Sequence, residues 1–166
     1  MNWQRKPESA EKALDEANAR RLAMNLLARR EHSRQELTDK LGRRNIESSM
    51  LESVIDRLSA EGLQSDGRFA ESYSHSRMQR GQGPVRIRME LGQRGVSAAL
   101  IETAIAALAV NWRDLARDVR RRKFGSGAPG SYKDKARQSR FLQHRGFSHD
   151  QIRAATAMED DGQDQQ

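Results

Sequence analysis

A stretch of this chain repeats itself fifty residues on, without a gap. Ser33–Leu58 aligns with Gly83–Leu108: Leu37 falls on Ile87, Leu41 on Leu91, Gly42 on Gly92, Arg44 on Arg94 and Ile46 on Val96. Leu51, Val54, Ile55 and Leu58 fall on Ile101, Ala104, Ile105 and Leu108. That quartet has i, i+3, i+4, i+7 spacing in both copies, the apolar stripe of an amphipathic helix. A weaker third copy follows at an offset of 51, where Leu91, Arg94, Gly95, Val96, Ser97 and Ile101 meet Leu142, Arg145, Gly146, Phe147, Ser148 and Ile152. Each copy is preceded by a further helical segment: Leu22-Ala23 with Leu26, Phe69-Ala70 with Tyr73, and Leu115-Ala116 with Val119. The expected fold is therefore all-α, three tandem three-helix repeats. Units this small take part of their stability from their neighbours, so an elongated array, straight or curved, is expected.

Local signals place the boundaries. Residues 1–15 are expected to be a loose N-terminal segment, with a first helix over about Glu11–Arg30. Repeat 1 covers 16–62, repeat 2 covers 63–110 and repeat 3 covers 111–158. Ser33 with Glu36, and Ser148 with Gln151, have the spacing of capping boxes. Asp66 is expected to cap a helix over Gly67–Arg80. Gly81–Gly83 is a hinge, Gly83 an N-cap and Pro84 a first helical residue, where a missing N–H costs nothing. Helices are also expected over Ser48–Ala60, Pro84–Arg94, Ala98–Ala109, Trp112–Phe124, Tyr132–Arg145 and His149–Met158. Gly125–Gly130 is expected to be a flexible linker. It lacks the Gly-Lys-Ser/Thr ending of a phosphate-binding loop. Residues 159–166 form an acidic tail, expected to be disordered.

Several classes of chemistry are excluded. The chain has no cysteine, so it has no disulfide, thiolate metal site or cysteine nucleophile. Met1–Ala10 has no apolar signal region, and the longest apolar run, Ala104–Val110, is far short of the ~20 residues a membrane helix needs. A soluble, cytoplasmic protein with no membrane partner is expected. His32, His75, His144 and His149 are scattered over different units, without ligand spacing. No paired carboxylates sit in an apolar context, and Ser33, Ser97 and Ser148 read as caps. No catalytic residue, metal site or cofactor is expected.

Charge carries the functional signal. Net charge is +7. Setting aside Glu159–Gln166, which hold four acids and no base, raises that of the remaining body to +11. Such a body attracts polyanions, nucleic acid first among them. The bases are mostly Arg, whose planar fork suits phosphate and carboxylate. Arg77, Arg80, Arg86 and Arg88 surround the Gly81–Gly83 hinge, with Arg94 at the end of the next helix. Arg120, Arg121, Arg122 and Lys123 end another helix, where the dipole accounts for one or two cations but not four. Lys133, Arg137 and Arg140 follow at helical spacing. These twelve residues are the candidate contacts to DNA or to an acidic protein groove. Tyr73, Tyr132 and Phe141 could stack on bases, although repeat position assigns Tyr73 and Phe141 to the core.

The segment Gly81-Gln-Gly-Pro-Val-Arg-Ile-Arg-Met-Glu-Leu-Gly-Gln-Arg-Gly-Val-Ser97 is a complete capped helix with a basic surface. It strongly resembles the signature of the RecX family, regulators of the RecA recombinase. Arg30–Leu37, Asp66–Ala70 with Arg77, and Arg140–Phe147 resemble the same family in the same order, over residues 16–158. The resemblance implies an array of three-helix repeats that binds the RecA filament on single-stranded DNA. It further implies limits on filament growth, ATPase, strand exchange and co-protease activity. Single- and double-stranded DNA are expected partners, and a monomer is expected. The alternative reading is a sequence-independent or helix-turn-helix-like DNA-binding regulator.

Overall fold

A computed structural model describes the backbone of residues 8–157 and the side chains of residue 12 and residues 15–157. The expected acidic tail and the start of the expected N-terminal segment lie outside these residues. The described chain is all helix and turn. In order it forms α1 (Glu8–Leu27), α2 (Arg34–Gly42), α3 (Ser48–Ala60), α4 (Asp66–Gln79), α5 (Pro84–Gln93), α6 (Ala98–Ala107), α7 (Trp112–Phe124), α8 (Tyr132–Arg145) and α9 (His149–Ala155). Three successive triplets result, as the repeat requires.

Burial follows the repeat. Leu51, Val54, Ile55 and Leu58 are buried, as are Ile101, Ala104 and Ile105. Leu108 departs from its counterpart Leu58 and is only half-buried. The chain leaves α6 at Ala107 and turns through Ala109, at φ +48°, to reach Asn111, the N-cap of α7. The first triplet packs α1, α2 and α3 around Ala19, Ala23, Leu41, Leu51, Val54 and Leu58. The third packs α7, α8 and α9 around Ala116, Val119, Leu142, Phe147, Ile152 and Ala155. Small Ala residues on α1 and α7 let the larger side chains of the next two helices come close.

Caps explain most helix ends, with two corrections to the sequence reading. Ser33 caps α2, its Oγ accepting from the Glu36 N–H, but Glu36 spends its carboxylate on Arg30 and Arg94. The reciprocal box forms at Ser148 and Gln151. Asp66 does not cap α4; Ser65 does, its Oγ accepting from the Arg68 N–H at 3.2 Å. The Asp66 carboxylate instead accepts from the Arg34 N–H, the first of α2, and from Gln64 Nε2, both at 2.8 Å. A donor left unpaired by the start of one helix is satisfied from the start of another.

The described chain divides into two compact units that do not coincide with the repeats. One runs up to Ser72 and takes in Gly92–Ile101; the other comprises Tyr73–Leu91 and the chain from Glu102 onward. The reason is a joint that recurs within each unit. In the first, α2 begins against the turn that follows α5. Ser33 Oγ donates to the Arg94 carbonyl at 2.8 Å, and Gly95, at φ +77°, lies against Gln35. In the second, α5 begins against the turn that follows α8. The Gly83 N–H donates to the Arg145 carbonyl at 2.8 Å and the Val85 N–H to the Gly146 carbonyl at 3.0 Å. Only glycine fits here. A Cβ on Gly83 would overlap the Gly146 carbonyl, and one on Gly146, at φ +89°, would overlap the Arg86 Cβ. The positive end of one helix thus meets the negative end of another.

Candidate functional site

The cations around the Gly81–Gly83 hinge are mostly engaged. On α5, Glu90 accepts from Arg86 Nε at 2.8 Å and from the Tyr73 hydroxyl at 2.6 Å, with Arg77 Nε 3.4 Å away. Burial disfavours the Glu90 charge, but the Tyr73 hydroxyl and the two guanidiniums outweigh it and hold the carboxyl below its ordinary range. Arg77 also lies over the Tyr73 ring, 4.7 Å from its centre. Arg86 donates further to the His144 carbonyl. Arg88 forms a two-pronged pair with Glu102, at 2.7 and 2.9 Å, which lowers the Glu102 carboxyl and raises the Arg88 guanidinium. Arg94, in the first unit, lies 3.5 Å from Glu36. Both side chains are half-exposed and each already holds a carboxylate: Arg86 meets Glu90 at the i, i+4 spacing readable in the sequence, whereas the Arg88 partner, Glu102, comes from the next helix.

Arg120 is a larger correction. Expected among the contact residues, it is 5% exposed. Its guanidinium donates to the carbonyls of Gly127 (2.8 Å) and Ser126 (3.4 Å) and to Gln138 Oε1 (3.1 Å). Gln138 in turn donates to Asp134, whose other oxygen takes Arg137. Arg137 pulls the Asp134 carboxyl down. The Gly125–Gly130 stretch is thus tied from within by a buried cation. The helical period explains the inward turn: Arg120 lies four residues beyond buried Ala116, on the core face of α7. A run of four bases conceals which one that period turns inward.

What remains is a smaller set on the second unit. Arg80, Arg122, Lys123 and Arg145 line an open cleft of about 220 Å³ with Gly81, Val119 and Phe141. Arg145 donates to the Arg80 carbonyl at 3.0 Å and stacks over Phe141, 5.4 Å from the ring centre. Among the described residues, none of these four cations has a carboxylate within ion-pair distance. Nearby on α8, Lys133, Arg137 and Arg140 share a face at i, i+4, i+7 spacing. Of these, Arg137 is paired with Asp134 and lies over Phe124, 5.2 Å from its ring centre. Arg121 is 3.8 Å from Asp118. Phe141 meets Phe124 edge to face, with centres 5.3 Å apart, while Tyr132, at the start of α8, is 83% exposed. Arg145 is absent from the twelve candidate contacts. Its signal was its repeat position opposite Arg94 and its place four residues beyond Phe141.

The cleft combines an apolar floor, one aromatic ring and four cations. Cations without carboxylate partners attract an anionic ligand. No described helix is long and apolar enough to cross a membrane.

Comparison with known proteins gives a consistent picture. The family models for RecX match three times: the first three-helix domain over residues 19–58, the second over 65–105 and the third over 113–156. The regulatory protein RecX of Halorhodospira halophila is 49% identical over 139 residues, covering 84% of this chain and 86% of that protein. The regulatory protein RecX of Pseudomonas fluorescens is 47% identical over 133 residues, covering 80% of this chain and 86% of its own. The crystal structure of RecX from Lactobacillus salivarius superposes with a TM-score of 0.72 at 23% identity, covering 86% of this chain and 95% of that one. With three domain matches in order and relatives near half identity along most of its length, this chain belongs to the RecX family of regulatory proteins.

Proposed function

We propose that this protein is a negative regulator of the RecA recombinase. It binds the RecA filament on single-stranded DNA and limits filament growth, ATPase, strand exchange and co-protease activity. Family membership supports the regulatory role, and one observation supports the site. Among the described residues, the cations of the Arg80–Arg122–Lys123–Arg145 cleft have no carboxylate partner, whereas neighbouring Arg77, Arg86 and Arg88 do. A surface that leaves guanidiniums without carboxylates around an aromatic ring is suited to single-stranded DNA within a filament. Obstruction of the filament requires no catalysis.

The test adds the protein, at substoichiometric ratio, to filaments preassembled on saturated DNA and follows ATPase and repressor cleavage. Inhibition is expected. Arg122→Glu with Lys123→Glu should weaken it while leaving the helical signal unchanged, because both side chains are exposed. If the wild-type protein acts only when DNA is free, the filament reading fails. The alternative, a DNA-binding regulator without sequence preference, then takes its place. Exposed Tyr132 and the cations of α8 favour that second reading.

A further inference from the structure

The first unit holds a second cleft of different chemistry. It lies between the last turns of α1 and α2 and encloses about 450 Å³, within the ~300–1,000 Å³ of typical binding clefts. Its floor is aliphatic: Leu22, Leu26 and Leu41. Its rim is cationic: Arg29, Lys40, Arg43 and Arg44.

Two contrasts give this cleft its meaning. The first is with the other guanidiniums of the same unit. Arg20, Arg30, Arg34, Arg57, Arg68 and Arg94 each reach a carboxylate, and Arg21 reaches the side-chain oxygen of Asn18. Among the described residues none of the four rim cations does. Two of them suffice to answer the C-terminal dipoles of α1 and α2, which leaves an excess facing an apolar floor. The second contrast is with the second-unit cleft. That one has an aromatic ring, Phe141, in its lining; here, among the described residues, no aromatic residue lines the walls. Nucleobases are held by aromatic faces, while aliphatic floors take aliphatic side chains. Charge and floor together specify an occupant with carboxylates outside and branched aliphatic side chains within.

We propose that this cleft docks an acidic segment of a partner protein, anchored by aliphatic side chains one helical turn apart. The carboxylates of the segment complete the ion pairs that Arg29, Lys40, Arg43 and Arg44 lack, and its aliphatic side chains cover Leu22 and Leu26. The mode is that of an amphipathic helix in a groove. It is independent of the DNA chemistry assigned to the second unit.

The probe is a short fluorescent peptide with Leu at i and i+4 and Glu elsewhere, titrated into the full chain and read by anisotropy. Saturable binding is expected. The same peptide with Ser for Leu should bind at least about tenfold more weakly. Arg43→Glu with Arg44→Glu should weaken the Leu peptide by a similar factor. Both residues are exposed, so thermal melting should not change. Asn25→Trp, at an exposed position on the cleft wall, fills the groove without altering charge and should also weaken binding. Equal affinity for the Leu and Ser peptides would reduce the cleft to general charge attraction and overturn the proposal. So would an Arg43/Arg44 variant that loses affinity for an oligothymidine as strongly as for the peptide, since the cleft would then be a nucleic-acid surface. A concentration-dependent dimer abolished by that variant would assign the cleft to a second copy, with the same consequence.

Discussion

The starts of α2 and α5 occupy the same place in successive repeats, and their chemistry differs. At α2, side chains finish the helix: Ser33 Oγ serves the Glu36 N–H and the Arg94 carbonyl, and Asp66 takes the Arg34 N–H. At α5, backbone meets backbone: the Gly83 and Val85 N–H groups donate directly to the Arg145 and Gly146 carbonyls. The guanidinium at the turn differs too. Arg94 is near Glu36, whereas its counterpart Arg145 stacks on Phe141 and opens onto a cationic cleft. A repeat therefore conserves the shape of a joint more strictly than the bonds that close it. The charge saved at one joint becomes available for binding.

Substitutions at the two turn glycines should separate the joints most. Gly146→Ala adds left-handed strain of about 1–2 kcal/mol and forces a Cβ onto Arg86, for about 1–3 kcal/mol more. The backbone nitrogen of Arg86 would lie only 2.7 Å from the new Cβ and cannot swing away. Gly95→Ala incurs the same strain but meets chiefly the Gln35 side chain, so it should cost about 1–2 kcal/mol. Urea unfolding midpoints at constant slope provide the comparison; equal losses would mean that the two joints are equally tight.

Arg120→Met should destabilise by about 1–3 kcal/mol, the cost of hydrogen bonds made by a buried charge. It should also open residues 125–130 to limited proteolysis. Arg122→Met, two residues on and exposed, should stay within about 0.5 kcal/mol of wild type. Faster cleavage in both variants would show that charge near the loop, and not the inward guanidinium, holds it.

Arg145→Ala should lower affinity for single-stranded DNA severalfold and flatten the log-affinity against log-salt slope by about 0.7, one phosphate contact. Arg94→Ala should leave that slope unchanged, because its carboxylate neighbour already occupies it. Ser33→Ala should cost about 1 kcal/mol through loss of the α2 cap, readable as a lowered urea midpoint.

The smallest effect is acid sensitivity. The Glu90 carboxyl is lowered in the folded chain, so its ion contributes stability above the ordinary value of 4.5 and that contribution is lost as pH falls below it. Glu90→Gln should make the acid limb of the stability profile shallower. An unchanged limb would locate acid sensitivity elsewhere.

The triplet architecture was legible because apolar spacing survives repetition: Leu51, Val54, Ile55 and Leu58 announce their counterparts. The helix starts at Gly83-Pro84 and Ser148 were legible because capping is local chemistry. The site was only partly so. Arg77 and Arg88 look free in one dimension, since Arg77 meets Glu90 from another helix and Arg88 reaches fourteen residues on to Glu102. The same holds for Asp66, which caps a helix thirty-two residues upstream. Counting cations finds a basic surface, but their availability depends on the carboxylates that folding brings beside them.

The glycine contact between the α5 start and the α8 end also bears on how the chain can be divided. A fragment ending with the second repeat would retain every residue of α5 and yet leave the Gly83 and Val85 N–H groups without acceptors. The natural cut is thus not at a repeat boundary. A piece meant to preserve the basic cleft must run from α4 through Phe147, and a grafted third repeat must bring its own Arg-Gly turn to meet a Gly-x-Gly-Pro start. The sequence triplets and the compact units of the structure are staggered against one another.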